Sequence, residues 1–288
     1  SKGLNFEVYR GRVGDLTIEK GAVNFTDIGS DRESLGISAV IRGPVKPALD
    51  LLAHTRPNLL RRVGLTAEGV KGTHATHLQI DLPLINSLRE EDIRVSSTSD
   101  IKGLAMSGIL KGKAIENGRI ALKVNNNSLT ASGETDYAGT PARFKWTQDL
   151  SGQQNITRRL DVALTADSRL ATLFHLDYPE IMVGSIPLTL VYEERRGNTA
   201  TLSAELNLTD AKFSLPGFDW KKLPGQPAKA QLAASFTDGA IGAVDRFEIK
   251  AENFSTSGNI SFAEGNSGGN PSISSLRLNG FKLGSTEF

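Results

Sequence analysis

Across 288 residues the chain carries 33 basic and 32 acidic side chains, a formal net charge of +1 that leaves no excess for a polyanion. Its basic residues fall in scattered pairs (Arg61 with Arg62, Arg158 with Arg159, Arg195 with Arg196, Lys221 with Lys222), whereas a nucleic-acid binder gathers them on one face; that class is set aside. The absence of cysteine removes disulfide scaffolds, thiolate metal sites and cysteine nucleophiles together.

The first stretch, SKGLNFEVYRG, lacks the charged-then-apolar layout of a signal peptide, and no apolar run approaches the roughly 18 residues of a membrane span. The chain is expected either to be soluble and cytosolic or to be a segment whose targeting and anchoring parts lie outside it. Residues 1–35 read as the tail of a preceding β unit. In GPVKPALDLLAHTRPNLLRRVGL, Val45, Ala48, Leu49 and Leu52 recur at helical spacing, Pro44 and Pro47 suit a first turn, and Pro57 opens a second short helix, so 45–63 reads as helical. A second helix is predicted over 168–175, with Asp167 or Ser168 as cap and Leu170, Leu173 and Phe174 as its apolar stripe.

Nearly everything else alternates apolar and polar with period 2, the pattern of half-buried strands. Leu78, Ile80, Leu82 and Leu84 make one row, and Ile120, Leu122 and Val124 another. Ile186, Leu188, Leu190 and Tyr192 make a third, and Leu202, Ala204, Leu206 and Leu208 a fourth. The clusters ENG (116–118), RRGN (195–198) and TDG (237–239) read as turns between antiparallel neighbours. Two stretches, LKVNNNSLTASGETDY and FEIKAENFSTSGNISF, change phase at Leu129 and Phe254 just before a Ser-Gly pair. That predicts a bulge or tight bend at Ser132-Gly133 and at Ser257-Gly258.

The fold class that follows is mostly β: a long, curved antiparallel sheet, a groove-like meander built from about two repeats. The repeats are 36–158 and 159–270, with the start of a further unit at 271–288, whether as separate units or as one continuous domain. Rows apolar on one face must be covered, and two short helices are too few to do it. A second sheet, the same sheet curled over, or a ligand would serve. The lining, rich in Leu, Ile, Val and Ala, suits flexible acyl chains and an ordinary sandwich core equally well. Besides the rows above without Tyr192 and Ala204, the groove candidates are Leu129, Val162, Leu164, Phe247, Ile249, Phe254 and Phe262.

No constellation for catalysis stands out. His74 and His77 in THATH fall on opposite faces of a strand, which separates them as metal ligands and suits surface or loop histidines. His54 and His175 end the two helices, where an imidazolium favours the dipole. The acids of REEDIR (89–94) and YEERRG (192–197) are sequence neighbours and point apart, unlike an acid and base pair for glycoside hydrolysis. No phosphate-binding Gly-rich loop or GxSxG elbow occurs. An enzyme, a metal and a cofactor are therefore not expected. The Pro- and Gly-rich stretch FSLPGFDWKKLPGQPAKAQ (213–231) reads as a connection across the sheet edge with Trp220 stapled onto apolar surface; its sharper reading is a rim that meets a membrane or partner.

GPVKPALDLLAHTRPNLLRRVGLTAEGVKGTHATHLQIDLPL, followed by LPGFDWKKLPGQPAKAQLAASFTDGAIGAVDRFEIKAENFSTSGNISF, resembles the large AsmA-like proteins of Gram-negative bacteria, in particular the YhdP-type members. The resemblance is one of style over most of 36–265: strand, Gly-Pro, Leu-rich helix, a strand ending in LPL, and the WKKLPG connection before a meander. It implies a bridge-like lipid transporter: a periplasmic β-sheet with an apolar groove, anchored in the inner membrane by segments not in this chain, and implicated in moving phospholipid to the outer membrane. The leading expectation is a non-enzymatic lipid-conducting segment, with phospholipid acyl chains as partner. The alternative is a structural or adhesive β-repeat module that binds a protein or glycan through its loops.

Overall fold

The structure, a computed structural model, describes residues 2–55, 57–110, 112–173, 181–215, 220–263, 272–284 and 286–287. The chain is mostly β; its strands pair antiparallel into open sheet, not a barrel, with few short helices. It divides into two compact units: Ser1–Gly139 with Lys145–Gln154, and Thr140–Phe144 with Asn155–Phe288.

In the first unit, β1 (Leu4–Val8) and β2 (Gly11–Val13) pair along one side of β3 (Leu16–Thr26), whose other side takes β4 (Ser34–Pro44). Helices α1 (Val45–Thr55) and α2 (Pro57–Val63) follow, and then a meander of β5 (Lys71–Pro83), β6 (Arg94–Leu110), β7 (Lys113–Asn125) and β8 (Ser128–Tyr137). The residues of β9 (Thr140–Asp149) are divided between the units.

In the second unit, β10 (Ile156–Ala166) leads into α3 (Ser168–Leu173), β11 (Met182–Val183), β12 (Ile186–Arg195) and β13 (Thr199–Asn207). The short β14 (Lys212–Leu215) and β15 (Trp220–Lys222) precede β16 (Ala228–Thr237), β17 (Ala240–Ala251), β18 (Phe254–Phe262), β19 (Ile273–Leu283) and β20 (Thr286–Glu287). Strands β10, β12, β13, β16, β17, β18 and β19 pair in that order. Each unit thus runs strand, short helix, meander.

Turn chemistry explains some connections and corrects one. Asp238 and Gly239 both take positive φ, 51° and 79°, between the opposed Thr237 and Ala240, the two-residue turn whose twist suits a hairpin. Between β12 and β13 a three-residue loop, Arg196 to Asn198, links the opposed Arg195 and Thr199, with Gly197 and Asn198 at positive φ, 82° and 55°. ENG is not a turn: Asn117, at φ 55°, sits in an extra-residue bulge within β7, where Glu116 faces Asp136 and Arg119 faces Glu134. The strand continues because Lys113 to Ile115 still find partners on β6.

The helices lie where predicted, with α3 ending at Leu173 in the described residues; Phe174 and His175 lie outside them. Asp167 caps α3, its Oδ1 accepting from the Arg169 and Leu170 backbone N–H groups at 3.1 and 3.2 Å. Helix α1 packs on β4 and β5 through Val45, while Leu51 stays 44 % exposed, so it covers one end of the strands only. The stretch 213–231 is more than a connection. It supplies β14 and β15, which with β11 form a separate three-stranded sheet, because Phe213 and Trp220 alternate with outward-facing polar residues on short strands.

Candidate functional site: two one-sided apolar faces

Directly opposed residues of antiparallel strands share a face, so the registers define the surfaces. In the first unit, Phe6, Val23, Ile37, Ile80 and Val95 succeed one another across five strands. Parallel rows run Leu4, Phe25, Leu35, Leu82, and Ala39, Leu78, Ser97, Val124, Leu129. A further row runs Ile41, Thr76, Ser99, Leu122, and another His74, Ile101, Ile120. In the second unit, one row runs Val162, Leu190, Ala204, Leu232, Phe247 and Leu278, with Gly258 between the last two. Beside it lie Leu164, Leu188, Leu206, Ala230, Ile249, and Leu160, Tyr192, Leu202, Ala234, Val244, Ile260.

The predicted residues therefore gather on one face in each unit. Leu84 falls just past β5, 38 % exposed, with its N–H donating to Glu33 O at 2.8 Å. Phe262 continues the β18 alternation opposite Ile273. Val23, Phe25, Ile37 and Leu232 join the same faces and were missed although their period-2 pattern was there to read, whereas Val244 was hidden because a register shift between it and Phe247 changes the phase. Val95 and Ile101 were hidden because their row-mates on β6 are Ser97 and Ser99.

The faces are packed at one end, and elsewhere most of their strand residues are half-buried, with Leu129, Ala234 and Val244 buried. In the second unit Ile186, Leu208, Ala211 and Ala228 form a buried cluster, with Ala166, Met182, Leu206 and Ile249 against it. Phe254, 3 % exposed, sits among Phe213, Trp220 and Phe281, with ring centroids 5.9, 4.7 and 5.9 Å away. Ile186, Leu208 and Phe254 thus belong to a packed cap. In the first unit Val45, Leu60, Val63 and Val70 are buried at the helix end, together with Leu104 and Ile120. Along the strands Leu78, Ile80, Leu122, Val124, Leu188, Leu190 and Leu202 are only half-buried, as are Val162, Leu164 and Phe247.

Polar groups interrupt this surface at defined points. His74 Nδ1 shares a hydrogen bond with Thr76 Oγ1 at 2.7 Å, and Thr76 with Ser99 Oγ at 2.8 Å, which makes a small polar track across the first face. Burial lowers the His74 pKa, and its buried Nε2 has no partner among the described residues. His74 is thus half-buried and not a surface histidine, while His77 lies on the opposite, polar face, exposed. In the second unit Glu194 pairs with Arg158 at 3.2 Å, and Glu193 on the opposite face takes Arg159 at 2.6 Å and Arg195 at 3.0 Å. Burial, then Glu194, raises the Tyr192 pKa beside them. In REEDIR, the Arg89 backbone N–H and side chain hold the Asp92 carboxyl below the usual range. Lys222, 2 % exposed, donates to the carbonyls of Thr209, Ala211 and Leu223 at 2.7, 2.7 and 3.1 Å, which ties the cap's loops together; burial lowers its pKa.

A hollow of about 870 Å³ in the first unit lies against the other face. Its side chains come from Lys20, Ser38, His77, Gln79, Thr98 and Lys123, so of the groove candidates only Leu78 and Val124 border it. No cluster of three metal-ligating side chains occurs among the described residues, and no helix among them is long and apolar enough to cross a membrane. Comparison with protein-family models, with curated proteins and with solved structures gives no match.

Proposed function

We propose that the two apolar faces bind lipid acyl chains and that the chain is a non-enzymatic, lipid-conducting segment. One observation carries this reading: mostly apolar rows run across five to seven strands, and most of their mid-strand Leu, Ile and Val side chains are only half-buried. In a closed sandwich the same positions would be fully buried between sheets about 10 Å apart. An acyl chain laid along them gains about 0.8 kcal/mol for each methylene removed from water, while a headgroup stays solvated at the rim. No step in such transfer needs an acid, base or nucleophile, so conduction is passive and direction comes from elsewhere.

The sequence resemblance to AsmA-like, YhdP-type proteins supports the same reading and extends it. Phospholipid is then the cargo, the periplasm of a Gram-negative bacterium the compartment, and an inner-membrane anchor a part of the longer protein. Photo-crosslinking tests the site. A photoactivatable phospholipid is expected to label peptides of β7, β12 and β13, and Leu122→Arg or Leu188→Arg to abolish that labelling in folded protein. Unchanged labelling in both folded variants removes the rows from the pathway.

A further inference from the structure

The first apolar face carries a polar interruption whose hydrogen bonds do not balance. His74, Thr76 and Ser99 are half-buried there, with Thr76 directly opposite Ser99 in the row that also holds Ile41 and Leu122. His74 Nδ1 lies 2.7 Å from Thr76 Oγ1, which lies 2.8 Å from Ser99 Oγ. His74 Nε2 is buried without a partner among the described residues. A buried N–H with nothing to bond is the rarer orphan, and burial disfavours the imidazolium, so the ring is neutral with its proton on Nδ1. The track then holds three donors, the Nδ1–H and two hydroxyls, but only two links. Whichever way the hydroxyls turn, one hydrogen of Thr76 or Ser99 is left over on an apolar surface.

We propose that Thr76 and Ser99 hold the ester carbonyl of an acyl lipid and so fix where its chains begin on the first face. The inference rests on the lipid binding proposed above and adds the linkage chemistry to it. An ester carbonyl offers lone pairs and no hydrogen, which complements a spare donor; a hydroxyl or amide would bring a further donor to the same surface. Water serves while the face is wet. Chains laid over the row expel it, and only a group that replaces its hydrogen bond avoids an unpaired donor. Packing gives the direction. Towards the helix end Leu104 and Ile120 are buried, whereas Leu78, Ile80 and Leu82 continue half-buried beyond Thr76, over about 20 Å of β5.

Competition between dipalmitoyl phosphatidylcholine and its dihexadecyl ether analogue, offered together in vesicles to the folded chain, tests the proposal. Mass spectrometry of the protein-bound lipid is expected to show the ester form favoured about tenfold, the effect of one unpaired donor. Thr76→Val with Ser99→Ala should erase that preference. Ser99→Ala alone should keep part of it, because Thr76 retains a spare hydrogen. Ser97→Ala, which removes a hydroxyl on the same face outside the track, should keep it in full. Equal uptake of both lipids by the unsubstituted chain overturns the ester contact and leaves the lipid reading standing; uptake of neither overturns both. A preference that survives the double variant, or disappears in Ser97→Ala, also overturns it. One measurement needs no variant: 15N spectra of the histidine-labelled chain should show His74 protonated at Nδ1. Protonation at Nε2 alone would balance the donors and contradict the proposal.

Discussion

Gly133 and Gly258 hold positions that no other residue fits. A Cβ on Gly133 would run into the carbonyl oxygen of Arg119 on β7, and one on Gly258 into that of Arg277 on β19 and the ring of Phe247. Both glycines permit a close strand approach. Replacing either with Ala is expected to cost about 2 kcal/mol in urea unfolding, as overpacking against rigid backbone does, while Gly242→Ala, whose Cβ would meet only the Ser235 carbonyl oxygen at an ordinary 3.8 Å, changes little. His74 gives a pH-dependent signature. Its lowered pKa means that, between that value and the ordinary imidazole value of about 6.5, the unfolded chain holds a proton the folded chain does not. Stability is therefore lost as pH falls through that window. His74→Gln should remove this slope below about pH 6.5 while leaving the carboxylate-driven loss at lower pH in place.

At the scale of elements, the phase change at Leu129 and Phe254 has a simpler cause than a bulge. Val124 opposes Leu129 and Ala251 opposes Phe254, so each pair shares a face across a hairpin, and residues of opposite parity must then point the same way. Around Ser132-Gly133 the register is regular, and the extra residue sits on the partner strand at Asn117-Gly118. At Ser257-Gly258 the register with β19 does shift. The two stretches also occupy different steps, since three meander strands precede the first after its helix and four precede the second. The alternation of Leu78 to Leu84 and of Ile186 to Tyr192 made strands legible. The small sheet at 212–222 was not, because strands of three and four residues are too short to show a period. Helix α3, six residues long, depends on its cap, so Asp167→Ala is expected to destabilise the second unit by about 1 kcal/mol, read as a lower urea midpoint at constant slope.

For the whole molecule, the exposed surface is the telling quantity. The chain shows 18223 Å² to solvent. Two ordinary compact domains, each of half its 30.9 kDa, would expose about 14 000 Å² together. Open sheet buries less of its surface than compact two-layer domains do. The presence of one-sided rows was legible in the sequence; whether a second sheet covered them was not, because a sandwich and an open face require the same alternation. Extraction of the purified, folded chain with organic solvent, followed by quantitative mass spectrometry, tests the central claim most directly. The account predicts co-purifying phospholipid at near-stoichiometric amount, lost when Leu122 and Leu188 are replaced by Arg; folded protein free of lipid that also fails to take up added phospholipid would contradict it.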